Sequence, residues 1–156
     1  MACGEAGRSR ASEEGAAAVE FALVVPFLLL LVFGIISYGY LLSFRQAVSQ
    51  GAAEGARAAA VSPADNDADK ISAARDALNE SLDTYGVSCD TGGVLRRDGT
   101  NVGTCAVTIA ACANDATEDC ASLTVDYRYD DHPLLPDFPL VPLPDHLDYT
   151  AVARVS

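Results

Sequence analysis

The sequence predicts an α+β fold: a long N-terminal transmembrane helix, then a small domain with an amphipathic helix and a three- to four-stranded antiparallel sheet. Three observations lead there. No charged side chain occurs from Phe21 to Phe44. Apolar residues at Ile71, Ala74, Leu78, Leu82 and Tyr85 recur at the three- and four-residue spacing of one helix face. After Gly86 the pattern changes to short runs of β-branched and aromatic residues with partial alternation, the period of strands. The chain has 156 residues, enough for one such domain and an appendage. Its net charge of −12 repels phosphate backbones and argues against a nucleic-acid partner.

Residues 1–15 are polar and small without periodicity and read as a short disordered leader. The helix is expected from about Ala16. Its run from Phe21 to Phe44 spans about 36 Å, against roughly 30 Å of bilayer hydrocarbon. A secretory signal has a shorter apolar region with a small-residue cut site just behind it. Here the nearest Ala-x-Ala is Ala58–Ala60, far past the run. The alanine-rich stretch "RQAVSQGAAEGARAAAV" continues the helix to Val61, where Ser62-Pro63 ends it. Residues 16–61 would then form a helix of about 69 Å. Pro26 removes one backbone donor and is expected to loosen or kink it. Gly51 and Gly55, with Ala47 and Ala59, form a four-residue row of small side chains on which a second helix can approach closely.

Residues 62–156 form the extracytoplasmic domain in this reading. The segment "PADNDADK" is a linker in which Asp65, Asn66 or Asp67 can cap the next helix. Asp65, Asp67 and Asp69 alternate as at the start of a calcium loop, but the sixth position is Lys70 rather than glycine, which favours capping. Gly86 is the stop. The segments "CAVTIAAC", "ASLTVDYRY" and "DYTAVARVS" read as strands, with the polar "ANDATED" as a hairpin loop. Between the last two, prolines at 133, 136, 139 and 142 have the period of a polyproline-II turn. With Leu135, Phe138 and Val141 on another face, this arm is expected to cover the sheet.

Cys3 precedes the apolar run; Cys89, Cys105, Cys112 and Cys120 follow it. Four cysteines behind the span suggest two disulfides and an oxidising compartment, which puts the C-terminal part outside. Three connectivities are open. Cys112 and Cys120 flank the expected hairpin loop, which favours Cys112–Cys120 with Cys89–Cys105, since the other pairings cross or span the hairpin. The cysteines lack the CxxC spacing of zinc sites, and neither His132 nor His146 sits in a metal or nucleophile motif. No metal, cofactor or catalytic set is expected, and no enzyme activity.

The start of the helix carries a more specific pattern. Gly15 is followed by four small apolar residues, then Glu20, Phe21 and the apolar span. "GAAAVEFALVVPFLLLLVFGI", with "QGAAEGARAAA" behind it, resembles the N-terminal signature of the TadE-like pseudopilins of tight-adherence (Tad/Flp) pilus systems. The resemblance covers roughly residues 14–61. It implies cleavage between Gly15 and Ala16 by a prepilin peptidase, and a structural role as a minor pilin or pseudopilin in pilus initiation or assembly. The partners it implies are other pseudopilins, the major pilin and an inner-membrane assembly platform. Glu20, with Phe21 and Pro26, would belong to the assembly segment. A carboxylate drawn into hydrocarbon is costly, and the new ammonium on Ala16 of a neighbouring subunit would offset that cost. Glu13 and Glu14 stand where this family often has a basic side chain near the glycine. The rival readings are an uncut single-pass membrane protein with a ligand-binding outer domain, and an anchored extracytoplasmic enzyme.

Overall fold

The computed structural model describes residues 8–136 and 141–155, with residues 8–14 described by their backbone alone. Helix α1 runs from Arg8 to Val61, 54 residues without interruption, and continues through Pro26. It begins before Ala16, so residues 8–15 are helical rather than a disordered leader. "RSRASEE" contains good helix formers, and extending an existing helix by a turn or two is far easier than nucleating one. Cys3 lies outside the described residues.

Helix α2 spans Asp67–Leu82. Asn66 is its N-cap: its side-chain oxygen accepts from the Asp69 amide at 2.9 Å, and its amide donates to the Asp69 carboxylate at 2.9 Å. Asp67 and Asp69 occupy the first turn, where the helix dipole favours negative charge. Ala74, Leu78 and Leu82 form the buried stripe. A single 3-10 turn at Asp83–Tyr85 follows, and Gly86 ends it with φ of 65°, a left-handed conformation that glycine adopts without strain.

The sheet has five antiparallel strands in sequence order, where three or four were expected. They are β1 (Val87–Cys89), β2 (Val94–Arg97), β3 (Thr100–Cys112), β4 (Asp115–Arg128) and β5 (His146–Arg154). The expected loop at 113–119 is mostly strand. Cys112 pairs with Asp115 while Ala111 pairs with Asp119, so the turn is tight and a bulge in β4 takes up the remaining residues. Cys89–Cys105 and Cys112–Cys120 are disulfide-bonded, with Cα separations of 6.0 and 4.9 Å. The first joins β1 to β3 and the second closes the β3–β4 hairpin tip.

One face of the sheet is covered by α2 and by the C-terminal half of α1. The buried residues of α1 include Ser37, Leu41, Phe44, Val48, Ala52, Ala56 and Ala59, spaced by three or four. Leu41, Phe44, Val48, Ala52 and Ala56 share a core with Leu78 and Leu82 of α2 and Leu95, Leu123, Val125 and Tyr127 of the sheet, and Ala59 packs with Ala74 and Ala121. Phe44 stands edge-on to both Tyr85 and Tyr127, with ring centroids 4.9 Å apart in each case. The last third of the membrane-length run is therefore part of the domain's own core.

The chain between β4 and β5 was expected to cover the sheet through Leu135, Phe138 and Val141. The residues that pack against the core are Leu134 and Leu143, while Leu135 and Val141 are half-buried. Phe138 and Pro139 lie outside the described residues. Both ends of this arm are tied down. Arg97 donates to the carbonyls of His132 and Pro133, and Tyr127 donates to that of His132 at 2.8 Å. At the other end the Tyr38 hydroxyl donates to the Pro142 carbonyl at 2.5 Å.

Candidate functional site

The N-terminal half of α1 projects beyond the domain. From Gly15 to Leu31 nearly every residue is exposed, and the side chains are apolar on all sides of the helix. Phe21 is 69% exposed and Phe27 76%. Each Val, Leu, Ile or Phe gains about 1.5–3 kcal/mol when it leaves water. An exposed run of this size therefore defines a surface that lipid or other helices must cover. Coverage by the domain begins near Phe33 and Gly34, which are half-buried, and is complete at Ser37, 3% exposed. Helix α1 is long and apolar enough to cross a membrane over the part that begins at Gly15.

The residues singled out at the helix start all lie on this exposed half. Gly15 and Ala16 are exposed, and a Cβ on Gly15 would meet no atom within 4 Å. Glu20 follows Ala16 by one turn, so its carboxylate and the Ala16 position share a helix face. Glu20, Phe21 and Pro26 are all exposed. The structure separates this group from Gly51 and Gly55, which are buried inside the domain. A Cβ on Gly55 would run into Leu123 of β4 and would lie 2.8 Å from the Ala74 carbonyl oxygen of α2. A Cβ on Gly51 would lie 2.9 Å from the Ser81 Cβ. The helix that this small-residue row receives is α2 of the same chain.

Sequence reasoning missed the stripe that begins at Ser37 and the Tyr38–Pro142 tie. The stripe had a visible signal, since the three- and four-residue spacing sets in at position 37. Its start was masked by the uniform hydrophobicity around it.

A shallow cleft of about 160 Å³ lies between α1 and β5, beside Leu41, Leu42, Arg45, Pro144, His146 and Tyr149. His146 Nδ1 is 3.0 Å from the Asp126 carboxylate. That hydrogen bond, with the charges of Asp126, Asp145 and Asp131, holds the imidazole pKa above its usual value. Among the described residues no group of three or more His, Cys, Asp or Glu side chains is placed to hold a metal ion.

A small α+β domain mounted on one helix, with half of that helix bare and apolar, defines the class of single-helix membrane-associated proteins. Within that class, residues 15–57 match the family model described as TadE-like protein, which bears out the resemblance of the helix start. The match takes in the bare half of α1 and most of its buried half, and leaves α2 and the sheet outside it. Proteins of this family are in general not enzymes. Neither the curated proteins nor the solved structures contain a match to the chain.

Proposed function

We propose that the chain is a minor pilin or pseudopilin that assists initiation or assembly of a Tad-type pilus. A prepilin peptidase cuts it between Gly15 and Ala16, and the domain stands on the extracytoplasmic side of the cytoplasmic membrane. The observation that carries this reading is the bare apolar half of α1, with Glu20 at its edge, inside the TadE-matching segment. The two disulfides support the sidedness, because such bonds persist in oxidising compartments.

The chemistry at the helix start follows from cost and compensation. Cleavage requires the helix to unwind locally at Gly15, and glycine eases this, since it destabilises a helix by roughly 0.5–1 kcal/mol relative to alanine. The new N-terminus on Ala16 is a cation. Glu20 at the same depth in a neighbouring subunit is an anion that is costly to draw into hydrocarbon. Pairing the two removes much of that cost only when the subunits stagger correctly. Register of assembly is thereby linked to charge neutralisation. The partners are the peptidase, other pseudopilins, the major pilin and an inner-membrane platform.

The test is intact-mass analysis of the protein from cells with and without the prepilin peptidase, combined with Glu20→Ala. The expected result is a chain starting at Ala16 only when the peptidase is present, and a piliation defect in a Glu20→Ala protein that is still inserted and cut. A chain retaining its first 15 residues beside an active peptidase would sink the processing claim and favour an uncut anchored protein.

A further inference from the structure

The arm between β4 and β5 has an unusual composition where it meets α1. Its described parts, residues 133–136 and 141–144, read Pro-Leu-Leu-Pro and Val-Pro-Leu-Pro. All eight residues are proline or aliphatic. The prolines have no backbone N–H, so half of this backbone carries no donor that needs a partner when water is withdrawn. Leu134 and Leu143 face the core, which leaves Pro136 and Pro142 exposed and Leu135 and Val141 half-exposed.

The depth of the arm along α1 is set by one contact. The Tyr38 hydroxyl holds the Pro142 carbonyl at 2.5 Å. Side chains on a helix tilt toward its N-terminus, so this carbonyl lies at or below the level of the Tyr38 Cα, on the side of the bare apolar half. Counting from the other end, roughly 30 Å of hydrocarbon above Glu20 is about 20 residues of helix and ends near Tyr40. If the hydrocarbon begins instead at Ala16, it ends near Ile36 by the same measure. Either way the contact falls at the boundary. Tyr38 and Tyr40, both partly exposed, stand where interfacial tyrosines are enriched.

The charges around the arm bound its depth. Asp130 and Asp131 precede it and Asp145 follows it. Carboxylates are tolerated among headgroups and excluded from hydrocarbon. We propose that the two described parts of the arm, residues 133–136 and 141–144, rest in the headgroup layer of the membrane beside α1, a second lipid contact that seats the domain on the bilayer surface. The partner is the lipid interface itself, continuous with the lipid-facing helix. This inference rests on the reading of the bare half of α1 as lipid-facing.

The chain contains no tryptophan, so a single introduced indole reports its own surroundings. Four variants of the full-length protein in phosphatidylcholine vesicles make the test: Leu29→Trp in the bare helix, Leu135→Trp and Val141→Trp in the two parts of the arm, and Thr108→Trp on the outer face of β3. Quenching by lipids brominated at shallow and at deep chain positions is read. The expected result is deep quenching for Leu29→Trp. Both arm variants should show blue-shifted emission and quenching by shallow bromines, and Thr108→Trp should show neither. If Leu29→Trp is quenched while the arm variants behave like Thr108→Trp, the arm does not touch lipid and the proposal is overturned with the membrane reading intact. Loss of quenching at Leu29→Trp would overturn both. Leu135 and Val141 lie in separate parts of the arm, so a folding failure of one variant leaves the other to decide.

Discussion

Residues 16–36 and 37–61 belong to one unbroken helix, yet they solve opposite problems. The first half is apolar around its whole circumference and touches little of the domain. The second half is amphipathic, with one stripe buried to the last few per cent and the rest, including Glu54 and Arg57, in water. Hydrophobicity alone does not separate them, since the uncharged run crosses the border and ends at Phe44. Periodicity does. A helix that needs an apolar solvent has no preferred face, whereas a helix that needs a protein core has one. The lesson is that the length of an apolar run overstates a membrane span wherever a domain starts directly on the helix.

The sharpest way to break this contrast is a matched pair of truncations. Phe44→Ala removes a ring wedged between Tyr85 and Tyr127 and should destabilise the domain by about 3–5 kcal/mol. Phe27→Ala should change it by less than about 0.5 kcal/mol, because no part of the domain rests on it. Denaturant unfolding of the detergent-solubilised chain, followed by tyrosine ellipticity, measures both. Equal effects would mean that the halves are not energetically distinct.

A smaller difference is expected between glycines. Gly55→Ala forces a methyl against the α2 backbone and Leu123, which should cost about 1–3 kcal/mol. Gly34→Ala meets nothing within 4 Å, and the unfolding free energy of the domain should change by no more than about 0.5 kcal/mol. A tolerated alanine at Gly55 would show that α2 and the sheet can back away from α1.

The weakest effect is on pH dependence, and it belongs to the domain half alone. His146 on β5 is raised in pKa, first by its hydrogen bond with Asp126. A raised histidine contributes stability that is fully present below its unfolded value, near 6.5, and is lost as pH rises through the folded value. His146→Gln should flatten the fall in stability above about pH 6.5. Asp90 acts in the other direction. Its carboxylate accepts from the Val94 amide and pairs with Arg96, which lowers its pKa. Its contribution is lost as pH falls through that lowered value. A chain whose melting temperature keeps its full alkaline slope in His146→Gln would remove the histidine from this account.

The long helix was legible from its uncharged apolar run and the alanine-rich stretch behind it, and the α2 stripe and three of the five strands because each has a period that its residues repeat. β1 and β2 were not, since "VSC" and "VLRR" are too short to show alternation. Their hairpin is held by Asp90, whose carboxylate accepts from the Gly92 and Val94 amides and from Arg96, a local knot invisible to hydrophobic patterning. Asp115, Glu118 and Asp119 look like loop residues because they are polar, but they point outward from a bulged strand, and Glu118 is paired with Arg154. At the candidate site, Gly15 and Glu20 were singled out by the pattern around them, which resembles the TadE-like signature. The partner of Gly51 and Gly55 was not legible, because a row of small residues states that something approaches closely and not what.

α1 passes from the bare half into the core with no break, no glycine-rich tether and no change of secondary structure between Ile36 and Leu41. The domain therefore has no swivel. At 3.6 residues per turn, one residue inserted there would rotate the domain by about 100° about the helix axis while raising it only about 1.5 Å. The direction in which the sheet faces is thus written into the phase of a screw. A pull along the helix is delivered straight to Phe44 and the tyrosines around it, as torque and tension on a packed core rather than slack in a linker.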